Sequence, residues 1–98
     1  MTRFRFTRKA VGDLTDIWNF TAEKWSVHQA EIYYQLLIES CRELASHPDS
    51  GKKYPGVARD LLGIKTGRHT IFYQIIDPDT VLVIRILHDQ MDLRNRLR

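Results

Sequence analysis

The last third of the chain carries the tightest constraint on its fold. Two apolar runs, Thr70-Ile71-Phe72-Tyr73-Gln74-Ile75-Ile76 and Val81-Leu82-Val83-Ile84-Arg85-Ile86-Leu87, flank Asp77-Pro78-Asp79-Thr80. Proline at the second of these four positions presets the backbone for a type I turn. Two strand-length runs around such a turn form a β-hairpin. Both faces of the pair are largely apolar, so the sheet needs full cover on one side and partial cover on the other. Leu61-Leu62-Gly63-Ile64-Lys65-Thr66 adds a third strand, joined to the hairpin by a turn at Gly67-Arg68.

The cover lies upstream. Arg3, Phe4, Arg5 and Phe6 alternate with a period of two, which predicts a short strand with the phenylalanines inward. Thr7 is placed to cap a helix, its hydroxyl accepting from an orphan N–H of the first turn. Ala10, Val11, Leu14, Ile17, Trp18, Thr21, Ala22 and Trp25 then recur at spacings of three and four, which makes one helical stripe. Asp13, Asp16 and Glu23 fall off the stripe. Gly12 weakens this helix by about 1 kcal/mol relative to alanine, and is expected to mark a close approach to another element.

Ser26-Val27-His28-Gln29 has the form of a capping box and starts a second helix. That helix buries Ala30, Tyr33, Tyr34, Leu37, Cys41, Leu44 and Ala45, and His47-Pro48 ends it. The short break at Trp25-Ser26 folds the two helices back as an antiparallel hairpin. Residues 48–56, rich in proline, glycine and lysine, read as a surface loop. The segregated order predicts an α+β fold: a short N-terminal strand, then an antiparallel helical hairpin packed on a C-terminal three-stranded antiparallel sheet.

At 98 residues the chain is expected to be one domain spanning 1–98. No apolar run approaches the length of a membrane span or signal peptide. The single Cys41 excludes an internal disulfide, and a cytoplasmic location is expected. Charge is uneven. Residues 1–50 hold six Lys/Arg against seven Asp/Glu, whereas 51–98 hold nine against five. A basic surface in the second half is consistent with an acidic protein partner, a nucleic acid, or solubility alone.

Few of the residue patterns that carry chemistry are present. His28, His47, His69 and His88 form no metal-ligand spacing, so neither a metal site nor a cofactor is expected; His69 and His88 are nonetheless expected to approach each other at strand ends. No phosphate loop is present. His69, His88, Asp89 and Asp92 gather at one end of the hairpin with Arg68 and Arg85 nearby. Such a set could cleave RNA, with a base for the 2′-hydroxyl, an acid for the leaving oxygen and arginine at the phosphate. The residues alone favour the plainer reading, a solvated rim whose histidine bonds a carboxylate to fix the end of the sheet. The aromatic side chains Trp18, Trp25, Tyr33 and Tyr34 lie on helical stripes and are expected in the core.

In this order and at this length, the motifs resemble the RelE/ParE toxin superfamily, and within it the ParE branch. They are Ile17-Trp18, Lys24-Trp25-Ser26-Val27, Gln29-Ala30-Glu31, Leu44-Ala45, His47-Pro48, Gly51, Gly67-Arg68-His69-Thr70-Ile71-Phe72-Tyr73, Val83-Ile84-Arg85-Ile86-Leu87-His88 and Met91-Asp92. The resemblance implies a non-enzymatic toxin of a type II toxin–antitoxin pair. Its target would be DNA gyrase, with contact to DNA only through gyrase, and a ParD-like antitoxin with an acidic amphipathic segment would neutralise it. The sister branch cleaves mRNA on the ribosome using basic residues across the sheet and a C-terminal tyrosine or histidine. Here Thr70 stands where that branch has a key arginine, and no tyrosine or histidine follows Met91. A threonine cannot clamp phosphate by charge. The alternatives are a ribosome-dependent endoribonuclease and an inactive interaction module. For the leading reading, the expected target-binding rim is Arg68, His69, Arg85, His88, Arg94, Arg96 and Arg98. The expected antitoxin landing site is Phe20, Ile32, Leu36 and Ile38, apolar residues left over once the core is assigned.

Overall fold

The structure, a computed structural model, describes residues 3–88. Strand β1 (Arg3–Phe6) leads into α1 (Arg8–Lys24) and α2 (Val27–Ser46). A 3₁₀ turn at Pro48–Ser50 precedes β2 (Lys52–Lys53), β3 (Leu62–Thr66), β4 (His69–Asp77) and β5 (Thr80–His88). The strands form one sheet in the order β1-β5-β4-β3-β2, with β1 parallel to β5 and the other pairs antiparallel. The helical hairpin covers one face, as the α+β pattern requires.

The core on that face joins Ala10 and Leu14 of α1 and Leu37, Cys41 and Leu44 of α2 to Ile71, Tyr73, Val81, Val83 and Ile86. Phe4 and Phe6 pack against it, while Arg3 and Arg5 stay exposed. Burial pushes the Cys41 thiol up to about 12, so it is inert filler at neutral pH. A smaller cluster of Leu61, Phe72 and Leu87 lies on the opposite face. Tyr54, Val57 and Ala58 of the β2–β3 connection cover it, with Tyr54 edge-on to Phe72 at 5.2 Å.

The caps form as the sequence implies. The Ala10 N–H donates to Thr7 Oγ1 at 3.1 Å, and the Gln29 N–H donates to Ser26 Oγ at 3.0 Å. The Ser26 N–H goes to the Thr21 carbonyl at 3.2 Å, which closes the tight link between the helices.

Residues 48–56 are more than a loop. The Tyr73 hydroxyl donates to the Pro48 carbonyl at 2.7 Å and accepts from the Gly51 N–H at 2.9 Å. A Cβ at position 51 would overlap that hydroxyl, so only glycine fits. This anchor delivers Lys52 and Lys53 to the edge of β3, opposite Gly63 and Leu62.

Two further expectations on α1 are corrected. Trp25 caps the helix at 70% exposure instead of joining the core, because it lies past the last turn that rests on the sheet. Val11 is also exposed. Gly12 approaches nothing, since a Cβ there would meet no atom within 4 Å.

The largest departure is at Asp13 and Arg85. Strand β5 carries a bulge: Phe72 pairs with Arg85 and Tyr73 with Val83, leaving Ile84 over. The extra residue lets Val83 and Ile86 both face the helical layer, with Arg85 between them reaching α1. There Arg85 Nε donates to Asp13 Oδ2 at 2.8 Å and its Nη2 to Oδ1 at 2.9 Å. The Ile86 N–H donates to the same Oδ2 at 2.9 Å. Both side chains are nearly sealed, at 13% and 12% exposure.

Replacing Asp13 by alanine removes the carboxylate shared by a nearly buried guanidinium and the Ile86 N–H, and is expected to cost about 3–5 kcal/mol in urea unfolding. The pair Asp13→Leu/Arg85→Met should recover most of this, leaving about 1 kcal/mol for the Ile86 N–H without its acceptor. Gly12→Ala should stabilise by about 1 kcal/mol, because it removes backbone freedom without a clash.

Candidate functional site

The candidate site is the end of the sheet where β3 turns into β4 and β5 finishes. Gly67 adopts φ +60 at this turn. Its missing Cβ also makes room for α2, since a Cβ would lie 2.7 Å from the Tyr33 hydroxyl oxygen. Tyr33 comes down from α2 as the organising side chain. Its hydroxyl accepts from the Arg68 N–H at 3.1 Å, stands 2.6 Å from His69 Nδ1 and reaches the Thr66 carbonyl at 3.4 Å. Thr66 Oγ1 donates to Ser40 Oγ at 3.0 Å, a second tie from α2 to the strand end.

His69 and His88 are direct cross-strand partners. Their rings lie edge to face with centroids 6.1 Å apart. The expected approach of the two histidines is therefore observed, and Arg68 stands exposed on the adjacent turn. Arg85 is different. It sits three residues back along β5 and turns into the clasp with Asp13, whose hydrogen bonds hold its guanidinium firmly protonated. Arg94, Arg96 and Arg98, like Asp89 and Asp92, lie outside the described residues.

Thr70 follows His69 on the opposite face of the sheet. It pairs with Lys65 and Leu87, and its methyl approaches Gly63. Lys65 is exposed on that same face, away from the histidine pair. Among the described residues, no group of three or more histidine, cysteine, aspartate or glutamate side chains gathers to hold a metal ion.

Apart from Ile75 and Ile76 on β4, the large apolar residues left exposed lie on the helical hairpin. Phe20, Ile32 and Leu36 are exposed at 61%, 51% and 45%, whereas Ile38 is half-buried. Trp25 and Val27 join them beside the interhelical link. Sequence periodicity placed Trp25 in the core by running the stripe of α1 into its C-cap, and left Val27, the first residue of α2, unassigned. The Lys24 ammonium lies 5.6 Å over the Phe20 ring.

Comparison with known proteins assigns the chain. The family model described as "ParE toxin of type II toxin-antitoxin system, parDE" matches residues 4–93. Toxin ParE1 of Caulobacter vibrioides is 32% identical over 97 residues, covering 99% of each chain. Toxin ParE1 of Mycobacterium tuberculosis is 30% identical over 96 residues, covering 98% of each. Among solved structures, the chromosomal ParDE toxin–antitoxin system from P. aeruginosa superposes with a TM-score of 0.76 at 18% identity, covering 90% of this chain and 96% of that one. The toxin–antitoxin complex RelBE2 from Mycobacterium tuberculosis gives a TM-score of 0.65 at 22% identity, covering 89% and 96%. The chain belongs to the ParE toxin family of type II toxin–antitoxin systems, with the RelE/ParE-like α+β fold.

The Tyr33 anchor generates a stability prediction. Gly67→Ala should cost about 1–2 kcal/mol, from the left-handed backbone and the tyrosine contact together. Tyr33→Phe should cost about 1 kcal/mol. Urea unfolding gives both values, and the His69 imidazole nitrogen shifts should move in Tyr33→Phe, which removes the hydroxyl beside Nδ1.

Proposed function

We propose that this ParE-family toxin poisons DNA gyrase by binding, without bond-making chemistry of its own, and so blocks replication in the cytoplasm. The observation that carries this reading is the clasp between Asp13 and Arg85. Arg85 is the one arginine or lysine in β4 and β5. Its planar fork is matched to a carboxylate already in place, in a nearly sealed setting. A sheet that cuts RNA needs a cation aimed at the phosphate in the transition state. With Arg85 held by Asp13 and a threonine at position 70, β4 and β5 carry no second arginine or lysine to aim at a phosphate.

Binding would then fall to the rim formed by Arg68, His69 and His88, continued by Arg94, Arg96 and Arg98. In this reading Arg85 supports the rim from within. Contact with DNA would be made through gyrase.

A ParD-like antitoxin would neutralise the toxin by covering Phe20, Ile32 and Leu36, with Trp25 and Val27 extending the surface beyond Ile38. Exposed apolar side chains of this size on one hairpin suit an amphipathic segment that folds on contact. Glu31 and Glu39 flank Ile32 and Leu36 on α2, so the acidic residues of such a segment would be directed toward Lys24 and the basic rim.

The test runs two assays in parallel on the purified toxin. Cleaved gyrase–DNA complexes should accumulate on supercoiled plasmid, while mRNA stays intact in a translating extract. Cleavage of mRNA with gyrase supercoiling unaffected would overturn the reading in favour of the endoribonuclease. A chain ending at Asp92 should fold and lose most of its gyrase activity. Trp25→Ser and Leu36→Glu should each weaken antitoxin binding about tenfold or more, with gyrase inhibition retained.

A further inference from the structure

The side chains of the first basic cluster in the chain serve neither the core nor the rim. Arg3, Arg5, Arg8 and Lys9 stand close together, and the first acidic residue of the chain is Asp13. We propose that this segment is a second basic surface, which lies along the phosphate backbone of duplex DNA without reading its sequence.

The placement of the four charges carries the assignment. Phe4 and Phe6 pack against the helical core, so Arg3 and Arg5 project from the opposite face of the sheet. The rise of a parallel strand sets them about 6.6 Å apart. Arg8 and Lys9 follow on the first turn of α1, which holds no acidic residue. The helix macrodipole disfavours cations there, so helix stability does not account for them. All four side chains are exposed, and among the described residues none enters an ion pair. Strand β1 is also the end strand of the sheet, with no neighbour on its outer side among the described residues. The Arg3 and Thr7 N–H groups donate inward, to the Asp79 and Val83 carbonyls at 2.8 and 3.0 Å. Alternation turns the Phe4 and Phe6 N–H groups to the open side, where phosphate oxygens can accept from them.

Charge without apolar anchors selects the partner. An acidic protein would be held chiefly by side chains buried in an interface. Of the large apolar side chains left exposed, only Val11 adjoins this segment in sequence. Single-stranded nucleic acid is held by stacking on aromatic rings, and both phenylalanines here are committed to the core. A duplex offers a backbone with one charge per about 1.7 Å of axis, and its binding draws on counterion release. Asp77 and Asp79 line the same cleft as Arg3 and Arg5 and bound the surface at the β4–β5 turn. The proposal rests on the gyrase reading only for what brings toxin and duplex together.

The test needs no gyrase, so its failure and the failure of the gyrase reading are separate results. Fluorescence anisotropy follows binding of the full chain to a duplex of about 20 base pairs between about 50 and 200 mM salt. Arg3→Gln/Arg5→Gln should weaken binding about tenfold at the lower salt, and should flatten the slope of log affinity against log salt by about 1.8, the value for two phosphate contacts. Arg8→Gln/Lys9→Gln should act similarly. Lys52→Gln/Lys53→Gln removes the same charge from the exposed opposite edge of the sheet, and should change affinity by less than about twofold. Arg3→Lys/Arg5→Lys should bind as the native chain does, and Asp79→Asn should bind more tightly. Circular dichroism checks the fold of each variant. Three results would each overturn the proposal: no binding of the duplex by the native chain, equal weakening by the charge-matched pairs at the two edges, or binding of polyglutamate in preference to the duplex.

Discussion

One carboxylate organises the contact between the helical layer and the sheet. Strand β1 ends at Phe6, so among the described residues β5 beyond Val83 has no strand on that side. Side chains from the start of α1 take its place. Thr7 Oγ1 donates to the Ile84 carbonyl at 2.7 Å, and Asp13 accepts from the Ile86 N–H and the Arg85 guanidinium. That side of β5 is thereby satisfied by side chains from the start of α1. Burying two charges is costly unless geometry is good and the remaining donors find acceptors. Here the fork is bidentate and a third donor shares the carboxylate, so the helix is fixed in both position and rotation against β5.

Two tyrosines do comparable work at other places. Tyr73, wholly buried, ties Pro48 and Gly51 to β4 and brings β2 to the sheet edge. Tyr33 ties α2 to the β3–β4 turn and orients His69. Each anchor sets one polar group where apolar packing alone would leave freedom to slide, and each has a glycine opposite it that makes room. The rim at the sheet end is thus held from behind by α2, while its outward surface is left to arginine and histidine.

Most of the fold was legible because its signals are periodic. The spacing of Ala10, Leu14 and Ile17, the alternation in β1, the Thr7 and Ser26 caps and the Asp77-Pro78 turn each determine a local structure. The closeness of His69 and His88 followed from the same hairpin. What escaped was nonlocal or broke a period. Asp13 looked solvent-facing because it lies off the apolar stripe, yet its partner is 72 residues away. The bulge at Ile84 reset the alternation of β5, so Arg85 read as a rim residue. Pairing of Lys52 and Lys53 depends on a hydroxyl that belongs to β4. Trp25 followed the helical period but not the extent of the sheet beneath it.

These points converge on a division of labour. Arg85 serves the fold, and in the proposed function the outer rim does the binding. The most direct measurement takes Asp13→Leu/Arg85→Met, in which the clasp is replaced by apolar side chains, and assays it for trapped cleaved gyrase–DNA complexes. A folded variant that still traps gyrase is the predicted result. A variant with native circular dichroism and cooperative unfolding that has lost the activity would place Arg85 in the working surface and contradict the account.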